Sequence, residues 1–171
     1  MIDIRTATKE DAALIAEMSR ETFRDTFAEF NTQEDMNLFL AEQFSSESLM
    51  AEVEAAPNLF LIAHYHNEPA GYLFLKNGRH KLLGDTSTIE ISRLYARISF
   101  IGKGIGKTLM QAAIAHAKSM QKTSIWLGVW EHNQRAIDFY TSFGFEKFGE
   151  HDFILGKDVQ RDWEMVLLIN N

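Results

Sequence analysis

Apolar and polar residues alternate from Ile2 to Ala7, which predicts a strand, and the period changes directly afterwards. Thr8 reads as a helix N-cap with Asp11 three residues on, an acidic variant of the capping box, and Ala12, Ile15, Ala16 and Phe23 continue at helical spacing. Two more helical stretches follow near Gln33–Phe44 and Ser46–Ala55, the second ended by Pro57. The apolar run Asn58–His64 predicts a buried strand, with Ala70–Leu75 as its hairpin partner across Asn67-Glu68-Pro69. Asn77–Ser87 is polar and reads as a loop, and Thr88–Ala96 as the next strand. A glycine-rich segment then opens a helix that runs to about Met120. Thr123–Trp130 follows as a strand, Asn133–Ser142 as a helix, and Phe145–Leu155 and Asp162–Ile169 as a closing pair of strands. The order is α/β (α+β), with an antiparallel front half and a strand–helix–strand unit behind it. Repeats and linkers are absent, so a single domain is expected over residues 1–171.

Composition narrows what such a fold could do. With no cysteine in 171 residues, disulfides, thiolate metal sites and cysteine nucleophiles are excluded. The net charge of −7 argues against nucleic acid as the main partner, because phosphate contacts need clustered Lys and Arg, and it suits a cationic small substrate. His64 and His66 are two apart with no third ligand near them, so no metal is expected. The opening Met-Ile-Asp-Ile-Arg lacks a signal peptide's apolar run, and no segment reaches the roughly 18 apolar residues of a membrane span. A cytoplasmic protein with no membrane partner is expected.

Gly102-Lys103-Gly104-Ile105-Gly106-Lys107 is the chemically richest segment. Glycines let a ligand approach the backbone, and a helix start offers free N–H groups and a positive dipole end, which together make an anion site. A Walker A loop would need glycine at Ile101, and the dinucleotide pattern would need it at Lys107 or Leu109, so both templates fail. The segment instead resembles the coenzyme A loop of the GNAT acetyltransferases, [QR]-G-x-G-x-[GA] after a strand. Asn133, Ala136, Phe139-Tyr140 and Gly144-Phe145 are similar to that family's N-x-x-A-x-x-F-Y-x-x-x-G-F segment at every marked position.

The resemblance runs from Ile2 to about Ile169 and implies the GNAT fold, a mixed and mostly antiparallel sheet of about six to seven strands flanked by helices. It implies an acetyl-CoA-dependent N-acetyltransferase acting on the primary amine of a small molecule, with no metal, and brings a homodimer into consideration; a protein N-terminus, an amino acid or another small amine as acceptor, and a non-catalytic acyl-CoA-binding domain, are the alternatives. By the same resemblance, Tyr140 is the general acid and a cofactor contact. Leu94, Tyr95 and Ala96 offer backbone groups to the cofactor, the loop residues 102–107 cradle its phosphates, and Asn133 contacts it while capping its helix. Ile101 stands where the family has Gln or Arg, which predicts weaker or more salt-sensitive cofactor binding, with Lys103 and Lys107 compensating. Glu21-Thr-Phe-Arg-Asp25-Thr-Phe27, Ile125–Glu131 and Gly149–Phe153 are similar to bacterial PaiA-type polyamine acetyltransferases, which act on spermidine and spermine.

Two further expectations come from the residues themselves. Glu90 alternates with Ile89 and Ile91 in the strand before the loop, and is the candidate base for removing the amine proton. Glu21, Asp25 and Glu29 are spaced by four, which puts them on one face of a continuous helix as a candidate polyamine-binding row.

Overall fold

A computed structural model describes residues 1–84 and 87–170; the part of the expected loop at Asp85 and Thr86 lies outside the described residues. Seven strands form one sheet: β1 (Ile2–Thr6), β2 (Leu59–Tyr65), β3 (Glu68–Asn77), β4 (Thr88–Ala96), β5 (Ser124–Trp130), β6 (Glu146–Leu155) and β7 (Asp158–Leu168). Five α-helices flank it: α1 (Ala12–Phe27), α2 (Gln33–Gln43), α3 (Ser46–Glu54), α4 (Ile105–Ser119) and α5 (Gln134–Ser142). The strand order is β1-β2-β3-β4-β5-β7-β6, antiparallel everywhere except between β4 and β5. A parallel pair needs a crossover, and α4 supplies it.

Each face of the sheet is closed by its own core. Beneath α4 and α5, Leu73, Leu75, Ile89, Ile91, Ile125 and Leu127 pack against Ile105, Leu109 and Ile137. Beneath α1, α2 and α3, Phe60, Ile62, Tyr72 and Phe74 pack against Ile15, Phe23, Leu40 and Leu49. Strand residues of alternate parity serve the two sides, as the period of two requires.

The expected start of α1 holds in part. Asp11 reaches back to the Thr8 backbone N–H at 2.9 Å and grips the Arg5 guanidinium through both oxygens, at 2.7 and 2.8 Å. That pairing pulls the Asp11 carboxyl down to about 2. The Thr8 hydroxyl turns to Glu10 at 2.7 Å, so a short 3-10 turn precedes the helix. Two hairpins are tighter than the sequence pattern predicts. The β2–β3 turn is His66-Asn67, with φ of 47° and 69°, because a two-residue turn that matches strand twist needs positive φ at both positions. The β6–β7 turn is Gly156-Lys157, so β7 starts at Asp158 and the hairpin arm projects far enough for the Lys157 N–H to reach Asp35 of α2 at 3.0 Å.

Candidate active site

The functional cleft begins with a fault in β4. Opposite β3, Phe74 pairs with Arg93 and Leu75 with Ile91, so Ser92 is an extra residue. Such a bulge bends and twists its strand. The ladder between β4 and β5 runs only from Thr88–Ser124 to Ile91–Leu127, and beyond the bulge the two strands part. The bulge also resets the alternation: Ile89 and Ile91 face the core beneath α4, and after it Leu94 and Ala96 do so. Backbone groups of Leu94, Tyr95 and Ala96 on the β5 side therefore lie along an open edge. The gap is a cleft of about 530 Å³.

One wall is the glycine segment. Gly102 and Gly104 have φ of 82° and 86°, a region that other residues adopt at a cost of roughly 1–2 kcal/mol. A β-carbon at Gly102 would meet nothing within 4 Å, so the loop presents bare backbone to the cleft. The first turn of α4 has no side-chain cap, and the N–H groups of Ile105, Gly106 and Lys107 have no intrahelical acceptor. Gly106 lies under the Phe139 ring, where a β-carbon would stand 3.4 Å away. Lys107 and Arg135 complete this end of the cleft. Bare backbone, uncapped N–H groups and two cations fit the phosphates of a coenzyme A-like ligand. Ile101 lines the cleft and is half-exposed, while Lys103 lies outside the lining with its Nζ 5.0 Å from the centre of the Tyr65 ring.

From α5, Asn133 accepts the Ala136 N–H at 3.3 Å and also lines the cleft, so capping and lining coexist. Tyr140 lines it too, with its ring packed on Phe145 at 5.7 Å. Burial raises the Tyr140 phenol above its ordinary value, which keeps the proton on oxygen at neutral pH.

The opposite wall is aromatic. Phe23 stacks on Phe39 at 4.4 Å and on Phe27 at 4.3 Å, Phe27 packs on Trp130 at 5.2 Å, and Phe153 meets Phe39 at 5.5 Å. At its edge Arg93 lies between Phe44 and Phe74, at 4.9 and 5.1 Å, and both carboxylate oxygens of Glu52 sit 3.0 Å from its Nη2. The one acidic residue lining the cleft, among the described residues, is Asp162 of β7, the register partner of Trp130. Burial pushes its carboxyl up to about 6, against the pull of His151.

The sequence-predicted residues divide clearly. Leu94, Tyr95, Ala96, Gly102, Gly104, Ile105, Gly106, Lys107, Asn133 and Tyr140 all line the cleft. Glu90 is not among the lining residues; it sits before the bulge, beside Lys76 of β3 and Trp126 of β5, and burial raises its carboxyl. The acidic row is dispersed. Glu21 is bound to Arg97 at 3.1 Å, Asp25 is exposed, and α1 ends at Phe27, so Glu29 falls in a separate 3-10 turn. None of the three lines the cleft, because the face of α1 turned to it carries Phe23, Thr26 and Phe27. Asp162, Arg93, Arg135 and the aromatic wall escaped the sequence reading. A signal for Asp162 existed in Asp162-Trp163-Glu164-Met165, where two acids alternate with apolar residues along a strand. Among the described residues, no group of three or more His, Cys, Asp or Glu could hold a metal ion, and no helix is long and apolar enough to cross a membrane.

Comparison with known proteins converges on one family. The family model described as "Acetyltransferase (GNAT) family" matches residues 15–145. An uncharacterized N-acetyltransferase from the pepI 3′ region of Lactobacillus delbrueckii subsp. lactis is 37% identical over 163 residues, covering 95% of this chain and 94% of the relative. A spermidine N(1)-acetyltransferase of Thermoplasma acidophilum is 31% identical over 165 residues, covering 91% of this chain and 96% of the relative. The crystal structure of PaiA N-acetyltransferase from Thermoplasma acidophilum in complex with coenzyme A superposes with a TM-score of 0.81 at 26% identity, covering 99% of both chains.

Proposed function

The chain belongs to the GNAT acetyltransferase family and is an N-acetyltransferase; on that premise we propose that it acetylates a primary amine of a polyamine such as spermidine or spermine, using acetyl-CoA. The observation that carries the reading is a cleft with two unlike walls, one of bare backbone N–H groups and cations, the other of aromatic rings with Asp162 as the one acidic lining residue among those described. The first suits a phosphate-bearing donor. The second suits an alkyl chain with a positive end, since ring faces attract cations and Asp162 supplies the counter-charge. The similarity to the Thermoplasma acidophilum spermidine N(1)-acetyltransferase supports the same acceptor class.

When bound, acetyl-CoA supplies the acetyl group as a thioester. The chain's own residues do the rest. The open edge of β4 at Leu94–Ala96 offers N–H and C=O groups to an amide-bearing arm and one N–H to a developing oxyanion. Tyr140 holds its proton at Oη and is placed on the cleft wall to hand it to a departing thiolate. The rings exclude water from the amine, which strengthens every charge interaction around it.

Thiol release from acetyl-CoA, followed against a panel of amines, tests the proposal. Spermidine or spermine is expected to turn over well ahead of amino acids and peptides, and equal or zero rates overturn the polyamine reading. Tyr140→Phe should lower kcat by about 100-fold with little change in coenzyme A affinity; unchanged turnover removes Tyr140 from the acid role.

A further inference from the structure

A chain of carboxylates and imidazoles leads from the cleft to the surface on the face of the sheet where Glu90 lies. Asp162 Oδ2 sits 3.4 Å from His151 Nε2, and His151 Nδ1 sits 3.5 Å from Oε2 of Glu164. The His151 ring thus bridges two carboxylates of β7 from the neighbouring strand β6. Glu164 is 94% buried and also binds Nε2 of His80. The tautomer of His80 is fixed by the backbone, because its Nδ1 accepts the Leu82 N–H at 3.1 Å, leaving Nε2 to donate to Glu164. His151 is 41% exposed on its side chain and Asp162 only 15%, so the imidazole is the wet end and the cleft carboxylate the dry one.

The backbone has made room for this bridge. A β-carbon at Gly128 of β5 would stand 2.9 Å from His151 Cε1 and 3.3 Å from Asp162 Oδ2. Only a residue without a side chain lets both groups close over β5 at the cleft floor. Other charged groups near the chain are Glu90 of β4, with Lys76 of β3 and Arg93 of β4 acting on it. Glu90 and Lys76 are absent from the lining, whereas Arg93 stands at its aromatic edge with Glu52 on its Nη2.

We infer that Asp162 is the base that takes the proton from the substrate ammonium, and that His151 carries that proton to solvent. The inference deepens the acetyltransferase reading and rests on it. One N–H bond of the ammonium breaks and its electron pair stays on nitrogen, giving the neutral amine. The proton passes to Asp162 Oδ2, then to His151 Nε2, and leaves to water through the exposed ring. Asp162 is suited to the step because burial holds its carboxyl above the ordinary aspartate range, which makes it a stronger base than an exposed aspartate yet still ionised at neutral pH. Glu164, held by His80, keeps the imidazole in place from its far side.

The test measures kcat/KM against pH for spermidine and for 2,2,2-trifluoroethylamine, an amine that is already neutral at the assay pH. Wild type, Asp162→Asn, His151→Gln, Gly128→Ala and Glu90→Gln are compared, with calorimetric coenzyme A binding reporting an intact fold. Asp162→Asn should lose about 100-fold with spermidine and less than about tenfold with the neutral amine. The sign follows from the base acting in its ionised form: wild-type activity falls as pH drops through the Asp162 pKa, whereas the Asn variant should follow the amine's own ionisation far to the alkaline side. His151→Gln and Gly128→Ala should each lose about tenfold, with coenzyme A affinity retained, and Glu90→Gln should lose less than Asp162→Asn. An active wild type whose pH profile survives Asp162→Asn overturns the inference alone, as does a larger loss in Glu90→Gln. A wild type that turns over no amine overturns both the inference and the acetyltransfer reading beneath it.

Discussion

The two walls of the cleft are built by opposite means. The phosphate-side wall is local and made of backbone: residues 102–107 and 133–140 form two short segments whose glycines, helix starts and caps do the work. The amine-side wall is made of side chains gathered from Phe23 to Asp162, across α1, α2, β5, β6 and β7. The backbone part of that wall depends on its glycines and helix starts more than on neighbouring side chains, with Lys107, Arg135 and Tyr140 as its exceptions. A side-chain wall can be retuned one residue at a time, which is how one scaffold serves many acceptors.

If that division is real, each wall should fail separately. The largest effect is expected at Gly104, where φ of 86° and the need for bare backbone coincide. Gly104→Val should weaken coenzyme A binding by about 100-fold or more, because the left-handed backbone cost and a branched side chain pressed toward Ile2, whose Cδ1 a β-carbon would meet at 3.6 Å, displace the loop N–H groups, while circular dichroism shows the fold retained. A variant that bound coenzyme A normally would break the assignment of this wall. A middle-sized effect is expected at Phe39, which is partly buried and stacks on Phe23. Phe39→Ala should raise KM for spermidine by about tenfold, as expected for one lost ring contact to a cation, with the coenzyme A Kd unchanged. If both constants moved together, the walls would not be independent.

The smallest effect is expected at Asp11, which belongs to neither wall. Asp11→Asn should cost about 1 kcal/mol or less near pH 7, because the Arg5 partner is 46% exposed. The Asp11 carboxyl is held below its ordinary value, so the stabilisation is present above about pH 4 and vanishes as pH falls toward 2. Thermal melts of both proteins should therefore converge in acid, while Kd and KM stay unchanged at neutral pH.

The same division explains what could be read from the chain. Gly102, Gly104, Asn133 and Tyr140 lie within two contiguous motifs, so their meeting in one cleft is legible from the sequence. The helical spacing of Glu21, Asp25 and Glu29 was legible as well, but whether a face meets ligand or solvent depends on tertiary partners. Arg97 claims Glu21, at 3.1 Å, and Glu17, at 2.7 Å. Glu90 stands out by alternation, and alternation carries no trace of the bulge at Ser92, beyond which the cleft opens. Asp162, His151 and Gly128 meet through strand register alone. The β5–β7–β6 order places the strand between Gly128 and His151 in space although it comes last in sequence.

The parting of β4 from β5 also bears on solubility. Unpaired strand edges recruit other strands and seed aggregation, and proteins commonly protect them with charge, proline or a covering element. Here the edge at Leu94–Ala96 is sunk in a slot whose far side is β5 and α5. The slot keeps these open ladder groups inside the cleft, off the outer edges of the sheet, which are β1 and β6.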